Sequence, residues 1–133
     1  MKQIITFIFT LPLLFFMLSC SDDSDILSPI AELKYRVIAY KSLTDKQKES
    51  ITPSWKEAYV EEGIYQTGNC THLIILDSKT KLCFNLKDES TPINLNQTLV
   101  AVSFGTKNVT LLGPLTLIIN PNNDNVIGAV GRN

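Results

Sequence analysis

The chain predicts an α+β fold, a small antiparallel sheet with one or two short helices packed on one face. Three observations lead there. The second half alternates short apolar runs with clusters of turn-forming residues, the pattern of paired strands. A capping box at Thr44–Gln47 marks a helix in the first half. Length does the rest: without residues 1–19, the 133-residue chain keeps 114, enough for one domain with an ordinary core and too few for two.

The elements follow in order. Residues 20–31, with Ser, Asp and Pro29 and no periodicity, read as a flexible tether, so the globular domain is placed at 32–133. From Leu33 to Tyr40, Leu33, Tyr35, Val37 and Ala39 alternate against a more polar face, the period of a half-buried strand. Thr44-Asp45-Lys46-Gln47 then opens a short helix to Ile51, because the Thr hydroxyl can take an orphan N–H while Gln47 reaches back. Pro53 ends it, since the residue before a proline is pushed out of the α region. Ser54-Trp55-Lys56-Glu57 has the form of a second helix cap. Ala58 to Tyr65 is rich in aromatic and β-branched residues at a spacing of two, and Gly63 weakens a helix there, which favours a strand over 58–65.

Strands at 71–77 and 81–86 pair through Asp77-Ser78-Lys79-Thr80-Lys81, and Leu99–Phe104 is another, ended by Gly105. The last two, Leu115–Ile119 and Val126–Val130, are joined by the turn cluster Asn120-Pro121-Asn122-Asn123-Asp124-Asn125. Trp55 and Phe84 are natural core members.

The amino terminus carries the strongest functional signal. Lys2 precedes Ile4–Leu18, an uncharged stretch of the length of a secretory signal core. It is too short to span a hydrocarbon layer about 30 Å thick, which needs roughly 20 apolar helical residues. The segment Met17-Leu18-Ser19-Cys20 resembles the bacterial lipobox: Ser19 is the small residue before the cysteine, while Met17 and Leu18 depart from the usual Leu followed by a small residue. The resemblance implies a signal peptide over 1–19 and lipidation at Cys20, whose thiol accepts the diacylglyceryl group before cleavage. Several acyl chains, palmitate-like and each worth about 0.8 kcal/mol per buried CH₂, would anchor the protein stably in a membrane.

Ser21-Asp22-Asp23-Ser24-Asp25 resembles the acidic export tag that follows the lipid cysteine in surface lipoproteins of the Bacteroidetes. That likeness implies display on the outer face of the outer membrane. The plainer reading of five such residues is a solvated tether, which leaves an inward-facing outer-membrane position as the competitor.

Composition narrows the partners. The chain from Cys20 onward has eleven basic and thirteen acidic side chains, a formal charge of −2; beyond Leu27 the balance is eleven to ten, or +1. The basic residues are scattered singly, so neither the footprint of nucleic-acid binding nor a polybasic membrane patch is present. Partners are therefore expected to be the membrane, through the lipid, and a protein or a glycan.

With Cys20 assigned to lipid, Cys70 and Cys83 remain in an oxidising compartment, where pairing is the default. The hairpin geometry argues back. A turn near Lys79 sets Cys83 opposite about residue 75, leaving Cys70 roughly 16 Å along the strand, against a permitted Cα separation below about 7 Å. Only a fold-back at Gly68-Asn69-Cys70 would close that gap, and the pairing stays open. No metal or cofactor is expected, because His72 is the single histidine and its spacing to the cysteines fits no zinc pattern.

Remaining constellations have bland readings. His72, before Leu73-Ile74-Ile75-Leu76, could act as a general base, yet the sequence offers it no evident partner. Neighbours in the acidic pairs Glu61–Glu62 and Asp88–Glu89 point to opposite faces of a strand, so both read as solvated carboxylates. Asn122–Asn125 lacks the spaced acids of a calcium loop, and Gly105-Thr106-Lys107-Asn108 reads as a turn with no helix pattern after it. The sequons at Asn69, Asn96 and Asn108 are discounted in a bacterium. Tyr35, Tyr40, Tyr59 and Tyr65 suit either a protein-binding face or sheet packing.

The ending, Leu115–Asn120 with Val126-Ile127-Gly128, is similar to the last hairpin of PepSY-type domains and of the propeptides of streptopain-like cysteine proteases. Both families imply small α+β folds that bind or restrain a protease. The expectation is thus a non-catalytic, lipid-anchored binding or accessory domain, with an envelope protease inhibitor and an envelope hydrolase as alternatives.

Overall fold

The computed structural model describes residues 27–132. The expected signal peptide over 1–19, Cys20 and the segment Ser21–Asp25 lie outside them.

The domain opens with a helix, α1 (Pro29–Lys41), where alternation predicted a strand. Ser28 caps it, its hydroxyl accepting the Ala31 N–H at 3.2 Å, and Pro29 occupies the first turn where no donor is needed. The decisive spacing is four: Tyr35, Ala39 and Leu43 are buried, whereas Leu33 is 49% exposed. Residues 29–31, expected in the tether, belong to α1, so the helix starts ahead of the boundary expected at 32.

The capping box folds as expected into α2 (Asp45–Ser50): Thr44 Oγ1 accepts from Gln47 N at 3.2 Å and Gln47 Oε1 accepts from Thr44 N at 2.9 Å. A single 3₁₀ turn at Trp55–Glu57 follows, capped by Ser54. The strand reading of 58–65 is met by β1 (Tyr59–Gln66). Next come β2 (Leu73–Ile75), β3 (Lys81–Cys83), β4 (Asn85–Leu86) and β5 (Thr98–Phe104). A four-residue helix, α3 (Val109–Leu112), then follows the Gly105–Asn108 turn, where no helix was expected; Asn108 O accepts from Leu111 and Leu112 N–H to close it. The chain ends with β6 (Leu115–Asn120) and β7 (Asn125–Ala129).

All seven strands form one antiparallel sheet in the order β3-β2-β1-β5-β6-β7-β4. The two edge strands are separated by one residue, Phe84. One residue spans only a few ångströms, so the sheet has to curl until its two edges meet there. A bulge assists the bend: β7 carries one extra residue, Ile127, where its pairing with β6 steps from Gly128 to Val126. Contact between β4 and β7 is so close that a Cβ at Gly128 would collide with the Asn85 carbonyl.

Curling creates two cores. One face packs on α1 and joins Tyr35, Ala39 and Leu43 to Val60, Val100, Val102, Phe104, Leu117 and Ile119. The opposite face encloses Tyr65, Ile74, Phe84, Leu99, Ala101, Ile118 and Ile127. Strands covered on both faces lose their polar side, which is why all six residues of β6 are buried. Phe84 is buried as expected, while Trp55 is half-buried and stacks on Tyr40 with centroids 5.2 Å apart.

Candidate functional site

The sheet brings chemistry-bearing side chains together beside the Phe84 junction. Tyr65 near the end of β1, His72 just before β2 and Glu89 after β4 come from three separate segments of the chain. Residues of β3 and β4 complete a cleft of about 500 Å³ there, lined by Cys70, His72, Cys83, Phe84, Asn85 and Glu89 among others.

His72 lies between two partners. The Tyr65 hydroxyl is 2.9 Å from Nδ1 and Glu89 Oε2 is 3.2 Å from Nε2. In the neutral ring this assigns the proton to Nε2: the phenol donates to Nδ1, and Nε2–H donates to the carboxylate. Tyr65 is 6% exposed and the His72 side chain 12%, whereas Glu89 is 76% exposed, so the line of contacts runs from the core to solvent. Phe84 closes the inner side, its ring 5.7 Å from the imidazole and 6.2 Å from Tyr65.

His72, for which the sequence shows no evident partner, is thus a hydrogen-bonded histidine, and Glu89, largely solvated as expected, is one of its two partners. The neighbouring carboxylate has a local task. Asp88 accepts from the Ser90 hydroxyl at 2.7 Å and the Ser90 N–H at 2.9 Å, a turn that holds the loop carrying Glu89. Those bonds, the hydroxyl first, hold the Asp88 carboxyl below the usual aspartate range. The pair lies in a turn after β4 and not on a strand as expected, with Asp88 bonded to Ser90 and Glu89 to the histidine.

Cys70 and Cys83 form a disulfide with Cα atoms 6.0 Å apart. The hairpin register differs by two residues from the one a turn near Lys79 implies. Cys83 faces Leu73, not residue 75, which shortens the offset to Cys70 to three positions. The chain also folds back: Gly68 N–H donates to Cys70 O at 3.3 Å, drawing residues 67–72 off the strand direction. The bridge therefore clamps this loop onto β3 and forms one wall of the cleft.

Asn122–Asn125 is a turn, with Asn120 Oδ1 accepting from Asn122 N–H and Asn123 Oδ1 from Asn125 N–H. Its Asp124 pairs with Lys34 of α1 at 2.9 Å and raises the lysine's pKa through that hydrogen bond first. Tyr35 and Tyr65 are buried, Tyr40 is half-buried and Tyr59 is 66% exposed. The hairpin with the PepSY and propeptide likeness is β6–β7, whose first strand lies wholly inside the domain. Among the described residues no group of three or more His, Cys, Asp or Glu side chains could hold a metal ion, and no helix is long and apolar enough to cross a membrane.

No protein-family model matches the chain, and no curated protein or solved structure matches it.

Proposed function

We propose that this protein is a lipoprotein anchored at Cys20 in a bacterial outer membrane, facing outward, whose domain acts by binding a protein or glycan. The observation that carries the reading is the run Met17 to Asp25, an apolar stretch that ends on a cysteine and turns acidic at once. Only eight positions separate Cys20 from Ser28, the cap of α1. Even fully extended, they span about 28 Å. An acyl group on Cys20 would therefore keep the domain within one molecular diameter of the bilayer and raise its effective concentration toward membrane neighbours.

Two features of the cleft support contact rather than turnover. Both ring nitrogens of His72 are already hydrogen-bonded, and the two sulfurs beside it are bonded to each other. Protease shaving of intact cells tests the surface address. The native protein should be degraded, and a variant carrying Asp22→Ala and Asp23→Ala should be protected. Protection of both forms rejects outward display.

One observation favours a second reading, an envelope hydrolase: His72 does have a carboxylate within hydrogen-bond reach in a cleft. Turnover of chromogenic esters or glycosides that disappears in His72→Ala, with the fold intact by circular dichroism, would establish it. Equal background rates in both proteins remove it.

A further inference from the structure

Among the described residues, the outer edge of β1 is half uncovered. β2 pairs with β1 only over Ile64–Gln66, so Tyr59–Gly63 have β5 on one side and no strand on the other among the described residues. Hydrogen-bond polarity along β1 follows from its end, where Tyr65 N–H donates to Gln97 O and Tyr65 O accepts from Asn96 N–H, each at 2.9 Å. Residues 59, 61 and 63 therefore address β5, and 60, 62, 64 and 66 address the opposite side. Ile64 and Gln66 meet β2 there. The N–H and C=O groups of Val60 and Glu62 point to the same side beyond the point where β2 has ended.

That open stretch is the floor of a groove. Two adjoining depressions of about 260 and 280 Å³ run along it, from Ile64 and Leu76 at the end of β2 to Tyr59 and Leu27 beside α1. Its rim is acidic, with Glu32, Glu61, Glu62 and Asp77 lining it. Nearby Arg36 is already engaged, donating to Ala58 O at 2.7 Å and to Glu32 at 3.2 Å. The Tyr59 phenol reports the field: a hydrogen bond to Glu61 first, with the charges of Glu61, Glu32 and Asp77 adding to it, pushes its pKa above the usual tyrosine range. Tyr59 itself is 66% exposed and Ile64 38%, which supplies apolar contact area at each end.

We propose that the edge of β1 at Val60–Glu62 docks an extended, lysine- or arginine-bearing segment of a partner protein, which adds as a short strand in line with β2. The proposal rests on the reading that the domain works by binding, and is independent of the anchor. Unpaired strand groups supply the backbone bonds of such an addition, and side-chain contacts select the sequence. A second copy of this chain is a poor occupant, because pairing two such edges sets Glu61 and Glu62 of one beside those of the other, and like charges facing across a sheet destabilise it. The same carboxylates discourage neutral and acidic strands and draw a basic one.

The test uses the full chain in detergent with three synthetic hexapeptides: alternating Lys–Val, alternating Glu–Val, and the Lys–Val sequence N-methylated at every backbone nitrogen. Binding is followed by calorimetry, and the Val60 and Glu62 amides by hydrogen exchange. The Lys–Val peptide should bind and slow exchange at both amides. Replacing Glu61→Lys and Glu62→Lys together, at two half-buried positions, should weaken it by about tenfold or more. The N-methylated peptide keeps the charge but has no backbone donor in any register, and should bind about tenfold more weakly. Equal binding of the N-methylated peptide, binding of Glu–Val, concentration-dependent protection without peptide, or no binding at all would overturn the docking site. Measured alongside, the mass of the amino-terminal fragment reports on the anchor separately.

Discussion

Removing the Cys70–Cys83 bridge by the double substitution Cys70→Ala, Cys83→Ala should cost about 3 kcal/mol. The two residues are 13 positions apart, and closing a loop of about that size removes on the order of 10 cal/mol/K of chain entropy from the unfolded state. The native state loses little else, because Cys83 is exposed and Cys70 only half-buried. For a domain of this size, unfolding entropy of about 2 cal/mol/K per residue converts 3 kcal/mol into a drop of about 13 °C in Tm. The assay is urea and thermal unfolding of the oxidised protein and the double variant, both without reductant. Urea dependence should also steepen slightly, since the uncrosslinked chain exposes more surface when unfolded. A loss below about 1 kcal/mol would refute the reasoning, by showing that the unfolded chain gains far less freedom without the covalent link than free loop closure implies.

Further outcomes follow from the packing. Leu33→Lys should leave stability within about 0.5 kcal/mol, whereas Tyr35→Ala should cost about 3 kcal/mol or more; a strand would bury both residues on one face, so equal losses by urea denaturation would contradict α1. Gly128→Ala should cost about 1–3 kcal/mol, because the added methyl meets the Asn85 carbonyl, and an unchanged midpoint would deny the close approach of β4. Acid should weaken the domain through Asp77 and Asp88, whose carboxyls are held below the usual range, Asp77 first by the Lys79 N–H and then by that of Thr80, and Asp88 first by the Ser90 hydroxyl. A lowered folded pKa stabilises above the ordinary aspartate value, and that contribution disappears as pH falls through the depressed one. The combined Asp77→Asn, Asp88→Asn variant should therefore show a flatter decline of urea midpoint between neutral pH and pH of about 2, and an identical slope would rule these turns out as the cause.

Much of the sheet was legible because its strands are short apolar runs bounded by turn chemistry. Thr44–Gln47 was legible too, since both halves of a capping box are written in the sequence. The first helix was not read, because Leu33, Tyr35, Val37 and Ala39 satisfy a period of two, and only Tyr35, Ala39 and Leu43 meet the core. Ser28-Pro29, with Glu32 in the first turn, was the available signal. At the cleft, the sequence shows a single histidine but not its partners. Tyr65 meets it through the register of β1 on β2, and Glu89 through the loop after β4, which the curl of the sheet about Phe84 brings alongside; no local pattern encodes either. The Cys70–Cys83 distance depended on a two-residue register difference and on a fold-back in a Gly-Asn segment, both set by tertiary packing. The open edge of β1 was likewise invisible, since it exists only because β2 is three residues long and β1 is eight.

The proposed anchor keeps this domain at a membrane by acyl chains on one sulfur. Mass spectrometry of the amino-terminal fragment from the native host reads that sulfur itself. The expected result is a mature chain beginning at Cys20 and carrying the added mass of its acyl groups. A chain that keeps residues 1–19, or starts at an unmodified residue and is recovered free of membrane, would contradict it.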